Sequence, residues 1–496
     1  AARAVCRRGR GPGKNEGLCA WCPQRLAADT GPLTATETPR EASAAAVPYD
    51  ERLPRPSTSP GMSPHEHGNR LPRPFRARVS AALVTWVLVI AGCAAPPPAP
   101  VAVNPGARAY ELSAGVDAIA ADLIAQLQQH TARTAPQGVA GVVARLQGPV
   151  PVRQAVIDPF IDAQNGYGTR TTQRAQDELI SRLGERDPTI RVAPLTSGNL
   201  DASAYVVTGA LSFENAAGAP AVQGAGASAS RQYRLLASIS DARSGSVIAS
   251  SSAWVAERNL DMAPLPSFVD SPVFLNDSYA RGLLTTARAS PGTMADTVWF
   301  SRLSTAALLA DAQTAFAADD PRNALGLYQR AEARSDGKLL KTYSGLYVTH
   351  LKLGNPGEAE RAFGQLVALA LTENNLSIRF LFRVNSTDFV ADSRLVDQYR
   401  LWVRQLAAQL ARARTCVDVQ GHSSRSGSEE YNDKLSLERA NALRRQLQAE
   451  APALASLLRA SGRGSRENLV GSGSDDARDA IDRRVEFRIV SCAQPR

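Results

Sequence analysis

Val417-Asp418-Val419-Gln420-Gly421-His422 alternates apolar and polar residues, which reads as a strand with one buried face. Residues 423–430 are polar and contain Gly427, as a loop should. From Asn432 onward Leu435, Ala440, Leu443 and Leu447 recur at helical spacing and give one apolar stripe. Ser436, Arg439 and Arg444 fall between them, on or beside the rim of that stripe. A strand ending at a polar loop, with an arginine on the following helix, makes a shallow cup suited to an anionic, hydrogen-bonding ligand.

Asn432, Leu435, Ser436, Arg439, Ala440 and Leu447 fit the motif N-x2-L-S-x2-R-A-x2-V-x3-L, with Leu443 at the usual valine. Gly421-His422-Ser423-Ser424 stands where a G-H-T-D element precedes that motif, Phe382-Arg383-Val384-Asn385 fits an earlier F-x-x-N loop, and Arg483-Arg484-Val485-Glu486 fits a closing R-R-V-E strand. In this order, the matches resemble the OmpA C-terminal-like, peptidoglycan-associating family. The resemblance covers residues 374–496 and implies a mixed sheet backed by helices that binds the diaminopimelate of the peptidoglycan stem peptide. It implies a ligand site of Asn385, Ser424, Asn432 and Arg439, with the arginine taking a ligand carboxylate. The chain departs from the family at Ser424, where the family has an aspartate facing the ligand's amino group. Losing that carboxylate removes a charge-assisted hydrogen bond of roughly 1.5–3 kcal/mol, and a serine hydroxyl offers a weaker acceptor.

Upstream, a chain of 496 residues has room for about three domains. The net charge of +9 is uneven: residues 1–92 hold 13 Lys+Arg against 7 Asp+Glu, and the rest 43 against 40. That balance gives no reason to expect a nucleic-acid partner. Residues 1–61 lack periodicity and read as disordered or as translated upstream of the true start, with Met62 an available initiator; Cys6, Cys19 and Cys22 lack the companions of a zinc site. Residues 62–92 read as a signal peptide. Arg70, Arg73, Arg76 and Arg78 precede the apolar run 79–90, which is short for a membrane span. The run ends at Ile90-Ala91-Gly92-Cys93, which looks like a bacterial lipobox, so Cys93 is the expected lipidation site. Ala94 at the next position favours the outer membrane by the sorting rule of bacterial lipoproteins. The Ala/Pro-rich residues 94–106 read as an extended linker, reaching about 40 Å at ~3.1 Å per residue.

Residues 107–300 alternate helix and strand patterns, which argues for an α/β or α+β layer. The order, a first helix over 110–130, a V-x-D-P-F-x-D strand, a helix over 171–183, strands at 190–195 and 205–213, and a hairpin turning at Asp241-Ala242-Arg243-Ser244-Gly245, resembles FlgO and CsgG-like envelope domains. Asp158 and Asp162 flank Pro159 and read as turn residues at a strand end rather than a catalytic carboxylate pair. Residues 301–373 turn helical. Asn323-Ala324 and Glu358-Ala359 recur 35 residues apart, which resembles two tetratricopeptide repeats, a protein-docking groove or an interdomain spacer. Two such units are marginal alone and should pack on a neighbour.

The last domain, 374–496, is expected to open with a strand over 378–384 and a helix over 392–414. Cys416 begins one strand and Cys492 ends another; if these run antiparallel, the sulfurs meet in a disulfide suited to an oxidising periplasm, the alternative being two buried free thiols. His422 has no metal-ligand spacing nearby and is expected to orient its loop. With no nucleophile elbow, no phosphate-binding loop and no serine–lysine motif with supporting elements around it, neither an enzyme nor a metal or cofactor is expected. The fold class is thus α/β and α+β multidomain: an α/β layer domain, a short helical-repeat segment and a C-terminal mixed sheet with helices. The resemblance implies an outer-membrane lipoprotein on the periplasmic face that binds peptidoglycan through its last domain. The alternative is a regulatory or assembly lipoprotein whose middle domains recruit an envelope enzyme or secretion complex. A CsgG-like pore would need long amphipathic strand pairs that the sequence lacks.

Overall fold

Strand β4 (Tyr205–Asn215) shows how the first sheet is buried on both sides. Its odd residues Tyr205, Val207, Leu211 and Phe213 join one apolar cluster, and its even residues Val206 and Ala210 join another, as a two-residue side-chain period dictates. The computed structural model describes residues 109–135, 151–215, 231–391, 393–468, 480 and 482–492. The upstream segment, the signal peptide, Cys93 and the Pro-rich linker lie outside the described residues.

The other strands of this sheet are β1 (Arg153–Ile157), β2 (Ile161–Asp162), β3 (Ile190–Pro194), β5 (Arg231–Asp241) and β6 (Val247–Val255). The order is β3-β1-β4-β5-β6, with β2 beside β4. β1 runs parallel to β3 and β4, whereas β4, β5 and β6 are antiparallel neighbours. Helices α1 (Leu112–Thr134) and α2 (Arg170–Arg186) contribute to the odd-side cluster. The β5–β6 turn follows from its residues: Asp241 Oδ1 accepts from the Arg243 and Ser244 N–H groups, and Gly245 takes a φ of +72°, which suits glycine.

Asp162 is a turn residue, accepting from Gln164 N at 3.0 Å and Asn165 Nδ2 at 2.6 Å. Asp158 is not. Its buried carboxylate accepts from Tyr279 Oη at 2.6 Å and Trp299 Nε1 at 2.8 Å, tying the end of β1 to helices α3 (Ser278–Ala287) and α4 (Thr297–Ser301). Those partners lie over 120 residues away, beyond what local turn chemistry reports. Burial raises the Asp162 pKa to about 6. The folded state therefore takes up this proton at a higher pH than the unfolded chain does, and the stability tied to it is lost as pH rises through about 6. Between pH 7 and 5 the wild type should gain about 1 kcal/mol from this group. Asp162→Asn should flatten that part of the pH–melting-temperature curve; an unchanged curve would contradict the assignment.

Four longer helices follow: α5 (Leu303–Ala317), α6 (Pro321–Glu332), α7 (Leu340–Lys352) and α8 (Pro356–Thr372). The turns α5–α6 and α7–α8 share one device. A residue with positive φ, Asp319 at 61° or Gly354 at 73°, precedes a cap and a proline at the first helical position. Gly345 lets α7 approach α6, since a Cβ there would lie 2.2 Å from the Tyr328 ring.

The second sheet has the order β7-β10-β8-β9, from β7 (Phe380–Leu381), β10 (Arg484–Ile489), β8 (Val417–Gly421) and β9 (Leu458–Gly462). β10 is antiparallel to β7 and β8, and β8 is parallel to β9. β7 is shorter than the strand expected over 378–384, because the chain turns at Asn385 (φ +49°). Helices α9 (Ser393–Ala413) and α10 (Glu429–Glu450) complete this region, and a disulfide joins Cys416 to Cys492 where β8 and β10 meet in antiparallel register.

One apolar cluster runs from Val156 and Val206 through Trp299, Leu309 and Phe363 to Trp402, Val419 and Val485. At the α8–α9 junction Trp402 stacks on Phe363 with ring centroids 5.6 Å apart and donates from Nε1 to Tyr347 Oη at 2.8 Å. Arg404 adds two hydrogen bonds to Glu360, at 3.0 and 2.7 Å. Among the described residues, no helix is long and apolar enough to cross a membrane.

Candidate functional site

The cup is assembled from three pieces: the turn after β7, the end of β8, and one face of α10. Gly421 makes the close approach possible, since a Cβ there would lie 1.8 Å from the Ser436 carbonyl oxygen. Ser436 is correspondingly buried, donating to Asp433 O at 2.9 Å and accepting from Gly464 N at 3.0 Å.

Arg439 holds the pieces together. It is 0% exposed rather than on the rim of the helix stripe, and it faces inward with Leu435, Ala440 and Leu443. Its Nε donates to Ser386 O at 2.9 Å, Nη1 to His422 O at 3.1 Å and Nη2 to Arg383 O at 2.8 Å. The guanidinium also lies 5.6 Å from the Phe382 ring centroid. One side chain therefore fixes the 383–386 turn against the end of β8.

Around this clamp the other expected site residues differ in access. Asn385 is exposed at the tip of the turn, in a left-handed conformation that asparagine tolerates. Ser424 and Asn432 are buried at 6% and 2% exposure, and Asn432 Nδ2 donates to Ser426 O at 3.0 Å, bracing the 423–428 loop. The structure thus buries Ser424, Asn432 and Arg439 and leaves Asn385 at the surface.

His422 steadies the loop through its backbone, its N–H donating to Arg484 O at 2.8 Å and its carbonyl accepting from Arg439. The ring faces Glu486, with Nε2 3.3 Å from Oε1, and burial lowers its pKa. Burial would raise Glu486, yet His422 and Arg484 together hold its carboxyl well below the usual carboxylate range. Asn468, which the motif reading does not single out, donates from Nδ2 to Ser423 O at 3.1 Å and supports the same loop. Its distance of 45 residues from Ser423 leaves no local sequence signal.

The OmpA family model matches residues 389–482. The C-terminal region is an OmpA-like domain. Among solved structures, this OmpA-like domain is similar to the peptidoglycan-associated lipoprotein from Burkholderia pseudomallei, at 26% identity over 23% of this chain and 89% of that one, with a TM-score of 0.20. It is similar also to the cell wall anchor of the T6SS from Pseudomonas aeruginosa, at 26% identity over 22% of this chain and 73% of that one, with a TM-score of 0.18. An outer membrane protein from Borrelia burgdorferi B31 is 23% identical over 23% of this chain and 86% of that one, with a TM-score of 0.18. No curated protein matches the chain.

Proposed function

We propose that the chain is an outer-membrane lipoprotein, anchored through Cys93, that binds peptidoglycan non-covalently through residues 374–496 and so ties the membrane to the cell wall. The observation that carries this reading is the Arg439 clamp, which fixes the 383–386 turn against the end of β8, with Ser424, Asn432 and Arg439 all inside the segment 389–482 matched by the OmpA family. The buried cation biases the cup towards a carboxylate. Asn385 and Asn432 supply amide groups, and Ser424 stands at the end where the stem peptide's diaminopimelate carries its ammonium. Upstream, the 107–300 segment acts as a FlgO/CsgG-like module and 301–373 as a tetratricopeptide-like one. This is a binding role rather than a catalytic one.

Ser424 also favours a second reading. A neutral hydroxyl in place of a carboxylate suits a domain that has lost cell-wall binding, in which case the middle modules carry the function by recruiting an envelope enzyme or secretion complex. Pull-down on purified sacculi separates the two. The parent should be retained, and Ser424→Asp should bind about ten- to a hundredfold tighter, the equivalent of one charge-assisted bond. A parent that stays in solution while Ser424→Asp is retained supports the recruiting role. If both are retained equally, Ser424 does not face the ligand.

A further inference from the structure

The face of the C-terminal sheet turned away from α10 gathers buried polar atoms that the cup does not use. Strand alternation sends Gly421 towards α10 and the next side chain, His422, to the opposite face. The His422 ring is 1% exposed, and among the described residues neither ring nitrogen makes a hydrogen bond of good geometry. Its Nε2 is aimed at Glu486, 3.3 Å from Oε1. Glu467 reaches the same point, so that one donor atom from each of the three residues lies within 4.8 Å of the others. Buried polar atoms are nearly always satisfied, so a buried imidazole left short of partners beside two carboxylates points to something that binds there.

We propose that His422, Glu467 and Glu486 form a binding site for a divalent cation of the zinc class. An imidazole nitrogen and two carboxylate oxygens are a donor set that zinc accepts, at about 2.0–2.2 Å each, and three protein ligands leave a fourth position open. Magnesium and calcium prefer all-oxygen sets and have less use for the imidazole. A small movement of the exposed Glu467 side chain closes the donor spacing to that of a shared ion.

Glu486 is shared with two cations of the protein. Arg484 donates to Oε2 from Nε at 2.9 Å and to Oε1 from Nη2 at 3.3 Å, and Arg379 Nε lies 3.5 Å from Oε2. These guanidiniums fix the carboxylate's orientation, as outer hydrogen-bond partners of metal ligands do. Their charge also sets the affinity below that of two unshared carboxylates. Oε1, facing His422, carries only the longer of the two Arg484 contacts, whereas Oε2 faces both guanidiniums, so Oε1 is the oxygen left for the ion. The ligands are spread over positions 422, 467 and 486, which no short spacing motif joins.

The test is calorimetric titration of the metal-free protein with zinc sulfate, together with thermal melting at about tenfold molar excess. Saturable uptake with a raised melting temperature is expected, and magnesium at the same concentration should give no shift. Glu467→Gln alters an exposed side chain, so the metal-free melting temperature should hold while zinc affinity falls by at least about tenfold. Glu430→Gln, also exposed, should leave affinity unchanged. No saturable uptake overturns the proposal. So does undiminished uptake by Glu467→Gln, which would place the zinc elsewhere.

Discussion

Arg439→Ala should destabilise the protein by about 3–5 kcal/mol and abolish retention on sacculi. For stability alone the sequence suggests a mild effect, because an arginine at the rim of a helix stripe can be lost without harm to the fold. The structure reverses that expectation. Three backbone carbonyls, of Arg383, Ser386 and His422, would lose their donor inside the protein, and a large buried side chain would leave a cavity. Arg445→Ala, exposed on the same helix, should fall within about 0.5 kcal/mol of the parent. Urea unfolding of the two variants checks this, and equal midpoints would contradict the clamp. Because Arg439→Ala combines misfolding with loss of charge, it cannot by itself prove a ligand contact; the Ser424 series does that.

Breaking the Cys416–Cys492 disulfide should have a comparable effect. The bond spans a sequence separation of 76 residues, and loop-entropy models give roughly 4 kcal/mol for a closure of that length, with measured values often lower. Cys492 is exposed, so Cys492→Ser should report the lost crosslink without a packing defect. The parent's urea midpoint should fall on adding reductant, and that of Cys492→Ser should not respond. A parent midpoint indifferent to reductant, or two free thiols in non-reducing peptide mapping, would remove the crosslink from the account.

What the sequence reveals here follows the range of each interaction. The β4–β6 strands and the paired helices are legible because two-residue and helical periodicities are local, and the turns at Asp241–Gly245 and Asn355-Pro356 because their residues dictate the backbone. Arg439 was half legible. It stands four residues from both Leu435 and Leu443, at the centre of the buried stripe, but a charged residue is ordinarily assigned to the surface. Asp158 and His422 were not legible in the same sense. The partners that define them, Trp299 and Glu486, come from distant segments, and only the fold brings them together. The lipobox at Cys93 lies outside the described residues and rests on its motif.

The central claim, that the cup around Ser424 and Arg439 holds the cell wall's stem peptide, is tested most directly by co-sedimentation of the purified protein with diaminopimelate-type sacculi in the presence of free diaminopimelate. The account requires that the protein sediment with the sacculi and that free diaminopimelate release it in a concentration-dependent way. A protein that remains in the supernatant, or that sediments indifferently to free diaminopimelate, would contradict it.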